Sequence, residues 1–368
     1  MNPVAVAWSA GLALAAAMGI GRFAFTPLLP MMQADSGVSL AEGGYLAAAN
    51  YIGYLVGALW AMRPMRVHVA IRVSLVAIAI TTAAMGLTHS MSAWMLWRLL
   101  AGVASAWALV HVSSWSLQRL SGRKLGGVVF SGVGWGMVLA GGLCIALMAA
   151  GATSSQAWIA LGIVSIAVAA ALWPVVKSTG ASTAAATGFR WSGDAIRLVL
   201  CYGAFGFGYI IPATFVPAMA RDIIPDPLVF GWAWPIFGVT AAISTLFASR
   251  ADNRRVWAAA AIVMAIGVAA PLVVPGIAGV LGSALLVGST FMVITMAGMQ
   301  EARQLGGPAL MAALTAAFAS GQIAGPLVVS ALAHVPGGMV AALCAAAGLL
   351  VASAFALAWK VRSSECAP

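Results

Sequence analysis

Charge is what this sequence lacks. Only 7% of its 368 residues are Asp, Glu, Lys or Arg, and just 8 are acidic. Soluble globular chains carry about 25% charged residues, so this chain cannot coat the surface of a water-soluble particle. Catalytic templates are missing as well. There is no GxSxG elbow, no HExxH zinc pair and no Walker GxxxxGK loop, which excludes self-driven ATP hydrolysis and gives no support to an enzyme. The four cysteines (Cys144, Cys201, Cys344, Cys366) have no CxxC spacing, and three sit in apolar stretches, so neither a disulfide framework nor a metal site is expected. No cofactor is expected.

What is present is apolar length. Hydrophobic residues make up 63% of the chain, and charge-free runs extend 52 residues over Leu125–Val176, 45 over Val256–Gln300 and 56 over Gln304–Trp359. An apolar run beyond about 18 residues is a transmembrane-helix candidate, and each of these is long enough for two. A β-barrel would show short alternating segments instead. At about 20–25 residues per span, with polar, Gly and Pro breaks as punctuation, helices are expected near 4–31, 40–62, 69–88, 92–117, 125–150, 156–176, 195–220, 228–249, 256–274, 277–300, 309–333 and 338–359. Ser39 followed by Glu42 is a capping-box start for the second. Trp8, Trp94, Trp173 and Trp257 fall near span ends, where aromatic belts form.

The net charge of +10 is distributed by topology. Fifteen of the 18 Lys and Arg fall in 62–72, 119–124, 177–197, 250–255, 301–303 and 360–362. Those loops share one parity, so the positive-inside rule places them and both termini in the cytoplasm. The expected setting is a bacterial inner membrane, with no nucleic-acid partner and a monomeric chain. The first span, with no basic residue before Arg22, reads as retained and not as a cleaved leader.

The chain also repeats itself. At an offset of 187, Gly19-Ile-Gly21-Arg22 falls on Gly206-Phe-Gly208-Tyr209 and Pro30 on Pro217; with a two-residue slip Gly132-x3-Gly136 meets Gly321-x3-Gly325. The polar stretch 177–194 divides the halves. The expected fold is an all-α membrane protein of twelve transmembrane helices in two pseudo-symmetric six-helix bundles, 1–176 and 195–368, joined by a cytoplasmic linker over 177–194. Duplicated halves about a midplane site are a transporter architecture.

Three short signatures carry a family likeness. Arg98-Leu-Leu-Ala-Gly102-Val-Ala-Ser-Ala106 resembles the RxxxGxxxA motif of the major facilitator superfamily, which in that family is associated with proton-coupled members. Gly132-x3-Gly136 with Gly141-Gly142 resembles its glycine-rich antiporter motif, with Met137 where the motif has proline. Gly57-Ala-Leu-Trp-Ala-Met-Arg63 resembles its GxLaDR loop weakly, and Ala61 replaces the aspartate that makes the usual gating ion pair. The stretches GIGRFAFTPLLP (19–30), NYIGYLVGAL (50–59), GFGYIIPATFVPAM (206–219) and GQIAGP (321–326) resemble the YbfB/YjiJ-type bacterial branch. The resemblance covers essentially the whole chain. It implies a secondary transporter of a small molecule working by alternating access.

The candidate site follows from polar residues in apolar spans. Arg22 and Arg98 are the only fixed charges well inside spans, and such charges usually face a cavity or a partner. Arg22 lies 14 residues beyond Trp8, about 21 Å along the helical rise, which leaves it about 9 Å from the outer face of a ~30 Å core. Arg98, six residues after Ser92, reaches about the same level. Two guanidiniums without a carboxylate suit an anionic substrate. The competing fate is internal: Pro27 would free the Phe23 carbonyl, and Arg98 would snorkel outward. Asn50, Tyr51, Tyr54, Tyr202, Tyr209, Gln300 and Gln322 offer donors and acceptors. The expected substrate set is Arg22, Arg98, Asn50, Tyr51, Tyr54, Tyr209 and Gln300, with Tyr209 favoured because it takes the repeat position of Arg22. Proton coupling, if used, falls to His111, Glu42 or Glu301, the last beside Arg303. An efflux antiporter of non-anionic substrates stays open, as does a channel or membrane-embedded enzyme.

Overall fold

A computed structural model describes residues 2–121, 124–176, 191–223, 233–248, 252–332 and 335–358. Residues 177–190 of the expected linker lie outside these ranges, as do Arg123, Arg250, Lys360, Arg362, His334 and Cys366; the side chain of Arg221 is also outside the description. The described chain is helical with no strand. Its helices are α1 (Pro3–Leu14), a π-helical turn (Ala15–Ile20), α2 (Phe25–Asp35), α3 (Leu40–Ala61), α4 (Val67–Leu87), α5 (Met91–Arg119), α6 (Gly126–Ala149), α7 (Ser154–Leu172), α8 (Gly193–Ile223), α9 (Ala233–Ala248), α10 (Asn253–Val273), α11 (Ile277–Leu332) and α12 (Gly338–Ala358).

Nine helical segments among the described residues are long and apolar enough to cross a membrane, with Trp234–Ala248 a shorter apolar helix. The 56-residue α11 would measure about 84 Å at the helical rise, far more than a ~30 Å core. It breaks at Gly307, whose φ of 60° and ψ of −151° are open essentially to glycine alone. The pieces 277–306 and 308–332 are each of one crossing's length.

Local chemistry sets several ends. Ser39 and Glu42 form the expected capping box, with Ser39 N donating to Glu42 Oε2 at 2.8 Å and Glu42 N to Ser39 Oγ at 3.2 Å. Thr153 and Gln156 form a second one at α7. The Asp35 carboxylate, at the end of α2, accepts from Ser154 N and from Ser154 Oγ (2.7 Å), which ties that end to the start of α7. Helix α8 begins at Gly193, two residues before the expected 195.

The first expected span is not one helix. Between Ala15 and Ala24 the ladder widens, with Gly21 N donating to Ala16 O at 2.9 Å and Phe23 N to Met18 O at 3.0 Å. The break precedes Pro27, which sits in the first turn of α2 where its missing N–H costs nothing. The Phe23 carbonyl, expected to be free, accepts from Thr26 N at 3.2 Å.

Packing relies on small residues, because in lipid the apolar side chains gain nothing by leaving tails for one another and close backbone approach carries helix association instead. A Cβ at Gly132 would stand 2.0 Å from the Gly11 carbonyl oxygen, and one at Gly321 2.3 Å from the Gly203 carbonyl oxygen. The α1–α6 contact therefore recurs as α8–α11, at the glycines that the sequence offset aligned. Helices also pair across the halves, α6 with α9 and α3 with α11. Apolar residues cover the outside, where Trp8 and Trp173 are exposed as an aromatic belt requires. Trp94 and Trp257 are not belt residues. Both are buried: Trp94 Nε1 donates to the Thr88 carbonyl at 2.8 Å, and Trp257 meets Tyr202 edge to face at 5.6 Å.

Candidate functional site

The break in the first helix positions the two intramembrane arginines. With the ladder open, the carbonyls of Gly21 and Arg22 are free of helical donors. Arg98 on α5 supplies them: Nη1 lies 3.5 Å from Gly21 O, Nη2 3.4 Å from Arg22 O, and Nε 3.5 Å from Leu46 O on α3. Its guanidinium also lies over the Phe25 ring at 4.5 Å. Asn50, fully buried, donates Nδ2 to the Arg98 carbonyl at 3.0 Å. Arg98 does not run outward to the headgroups. It clamps three segments together.

Arg22 turns the other way. Its guanidinium sits 3.7 Å from the Tyr54 ring centroid, a cation–π contact of the desolvated kind. Nη2 donates to Gln322 Oε1 on 308–332. Nε and Nη1 have no hydrogen-bond partner among the described residues, although Arg22 is only 3% exposed. Arg22 lines a cavity of about 50 Å³ whose other walls include Phe23, Tyr51, Arg98, Tyr209 and Trp234. No carboxylate stands among its lining residues.

The structure thus brings together Arg22, Arg98, Tyr51, Tyr54 and Tyr209, with Asn50 behind them on the Arg98 backbone. Tyr209, at the repeat position of Arg22, reaches the same cavity and stacks on Phe291 at 4.4 Å. Gln300 is not brought in, because its amide packs against Gly126 at the start of α6. The amide that meets Arg22 is Gln322. Its signal in the sequence was an amide inside a long charge-free run, but which way it faces depends on the rotation of the helix.

The three proton-coupling candidates lie elsewhere. His111 is buried, with Nδ1 2.9 Å from its own helix's Trp107 carbonyl. Glu42 is spent on its capping box. Glu301 pairs with Arg254 (2.7 Å) and not with Arg303, and Arg254 also holds Asp194 at 2.5 Å. The starts of α8 and α10 and the end of 277–306 converge there, which is why a partner distant in sequence displaces the near one. None of the three lines the cavity. Among the described residues no group of three His, Cys, Asp or Glu could hold a metal ion.

A family model described as the uncharacterised MFS-type transporter YbfB matches residues 14–358, and the chain belongs to that family of multi-pass membrane transporters. Among solved structures it is similar to the human organic anion transporter MFSD10 (TETRAN), at 15% identity and a TM-score of 0.69, over 96% of this chain and 98% of that one. No curated protein sequence matches it. The similarity to MFSD10 is one of fold.

Proposed function

We propose that the protein is a secondary transporter that moves an organic anion across the bacterial inner membrane by alternating access between two six-helix bundles, 1–176 and 195–368, with 177–194 as the cytoplasmic linker and both termini cytoplasmic. In this reading the twelve helical stretches are twelve crossings, and the cavity at Arg22, Tyr51 and Tyr209 is the substrate site. The observation that carries it is the Arg22 guanidinium, buried and, among the described residues, without a carboxylate beside it and with Nε and Nη1 unpartnered. A buried cation without a counter-ion costs several kcal/mol after relaxation, of which a desolvated ring such as that of Tyr54 offsets about 2 kcal/mol or somewhat more. A substrate anion supplies the rest. Arg98, with each guanidinium nitrogen on a backbone carbonyl, holds the broken helix that presents Arg22. MFSD10 is named for organic anions, but at 15% identity it lends fold alone, and the proposal rests on Arg22.

The test is counterflow in proteoliposomes with radiolabelled carboxylates. Saturable, trans-stimulated uptake that Arg22→Gln abolishes supports an anion carrier. Non-saturating flux would mark a pore, and saturable uptake of a cation would mark the efflux antiporter of non-anionic substrates.

A further inference from the structure

The geometry points to a more definite substrate: an aromatic monocarboxylate, its carboxylate on Arg22 and its ring among the aromatic walls of the cavity. This inference rests on the anion reading above and narrows it.

The charge count comes first. Two cations line the cavity, but each of the three guanidinium nitrogens of Arg98 faces a backbone carbonyl. Those bonds engage three of the five N–H groups of Arg98, whereas Arg22 has two nitrogens, Nε and Nη1, with no partner at all among the described residues. A single available guanidinium matches a single carboxylate. A dianion would bring a second charge that only Arg98, already tied to three carbonyls, could meet, and a buried charge without close pairing is strongly disfavoured. An ammonium would meet Arg22 with no carboxylate beside it.

Shape comes next. A carboxylate is planar and takes a guanidinium edge with two parallel N–H···O bonds. The face of Arg22 is occupied by Tyr54 at 3.7 Å, so an incoming acceptor must approach in the guanidinium plane. A planar two-oxygen group fits that approach.

The walls decide the rest of the molecule. Five of the eleven lining residues are aromatic: Phe23, Phe25, Tyr51, Tyr209 and Trp234. They continue outward as a ring array, with Phe23 5.7 Å from Phe291 edge to face, Phe23 6.1 Å from Trp234, and Trp234 stacked on Phe237 at 5.5 Å. Rings meeting rings at offset or edge gain beyond the area they bury, by about two- to tenfold in affinity. A saturated ring of similar size gains only the area. Trp234 Nε1 has no acceptor among the described residues and offers one further donor to the bound molecule. At about 50 Å³ the cavity must widen to take a ring, and it borders helices of both halves, so widening is a movement between them.

The experiment titrates the purified full-length protein in nanodiscs by calorimetry with benzoate, cyclohexanecarboxylate, phthalate and benzylamine. Benzoate should bind, cyclohexanecarboxylate at least threefold more weakly, and phthalate and benzylamine undetectably. Tyr209→Leu should bring the benzoate-to-cyclohexanecarboxylate ratio close to one, a readout that does not depend on Arg22 variants folding. Arg22→Gln should abolish benzoate binding. If cyclohexanecarboxylate or phthalate binds as well as benzoate and depends on Arg22, the aromatic monocarboxylate is overturned while the anion reading stands. Binding of benzylamine, or carboxylate binding indifferent to Arg22→Gln, overturns the anion reading itself. Failure of benzoate to bind overturns the narrower inference.

Discussion

Gln322 Oε1 occupies Nη2 of Arg22, the guanidinium nitrogen shared by the side-on edge (Nε and Nη2) and the end-on edge (Nη1 and Nη2). Nη2 carries two N–H groups, one on each edge, so a carboxylate that binds on the edge facing Gln322 must displace that amide. The two residues are 300 positions apart, one on the broken first helix and the other on 308–332. In that mode, binding loosens a contact between distant parts of the chain.

Replacing Gln322 by Leu removes the competing acceptor. The ligand-free protein should lose thermal stability, because Arg22 is left with one more unpartnered N–H in a dry site. Anion affinity should rise by roughly tenfold, since hydrogen bonds to charged groups contribute about 1.5–3 kcal/mol. Calorimetric affinity and melting temperature, measured with and without benzoate, check both signs. Unchanged affinity would mean that the anion does not displace Gln322.

In the proposed site Arg98 is a positioning residue for Arg22. Its guanidinium holds the carbonyls of Gly21, Arg22 and Leu46, so Arg98→Gln should destabilise the protein by about 2–3 kcal/mol through uncovered buried carbonyls. Arg98→Lys should not restore it, because one ammonium cannot reach three acceptors in a planar fork. Thermal unfolding in detergent measures the loss. Anion affinity should fall less than in Arg22→Gln, and the reverse order would put Arg98 on the substrate directly.

Coupling to protons is not expected to run through the ionisable residues of the bundle. His111 donates from Nδ1 to a carbonyl of its own helix, Glu42 caps α3, and Glu301 is held by Arg254. In proteoliposomes with the membrane potential clamped, an imposed pH gradient should not drive carboxylate accumulation, whereas a counter-gradient of the same carboxylate should. His111→Gln and Glu42→Gln should keep exchange rates within about twofold. A tenfold loss in His111→Gln with normal folding would return that histidine to the proton path.

The sequence was legible where the determinant is local or periodic. Ser39 and Glu42 are three residues apart and read directly as a cap; Thr153 and Gln156 carry the same signal and went unread. The repeat offset paired Tyr209 with Arg22 in the sequence, and both residues line one cavity. The break at Ala15–Ala24 was not legible. It arises where Gly19 packs against Gly136 and Gly21 against Ile78, contacts that only the assembled bundle supplies. Gln322 and Gln300 are alike as letters in apolar runs, and helix rotation alone separates them. Glu301 finds Arg254, 47 residues away, in preference to its neighbour, for the same reason.

The last prediction concerns the contact between the halves. Where α6 meets α9, a Cβ added at Gly134 would stand 2.4 Å from the Gly238 carbonyl oxygen and 2.6 Å from Ala242 N. Both are backbone atoms of the facing helix, so a rotamer change cannot relieve the clash and the helices must separate. Gly134→Val should therefore disfavour the state in which α6 and α9 touch, while the Arg22 cavity keeps its residues. Exchange should fall by at least tenfold, because every cycle must pass through the closed contact, and benzoate should still bind. Cysteine pairs placed on α6 and α9 beside this contact should cross-link readily in the parent and poorly in Gly134→Val. Gly134→Val with parental exchange and parental cross-linking would show that the contact yields without helix movement, and the α6–α9 seam would then be simple packing and not a moving surface.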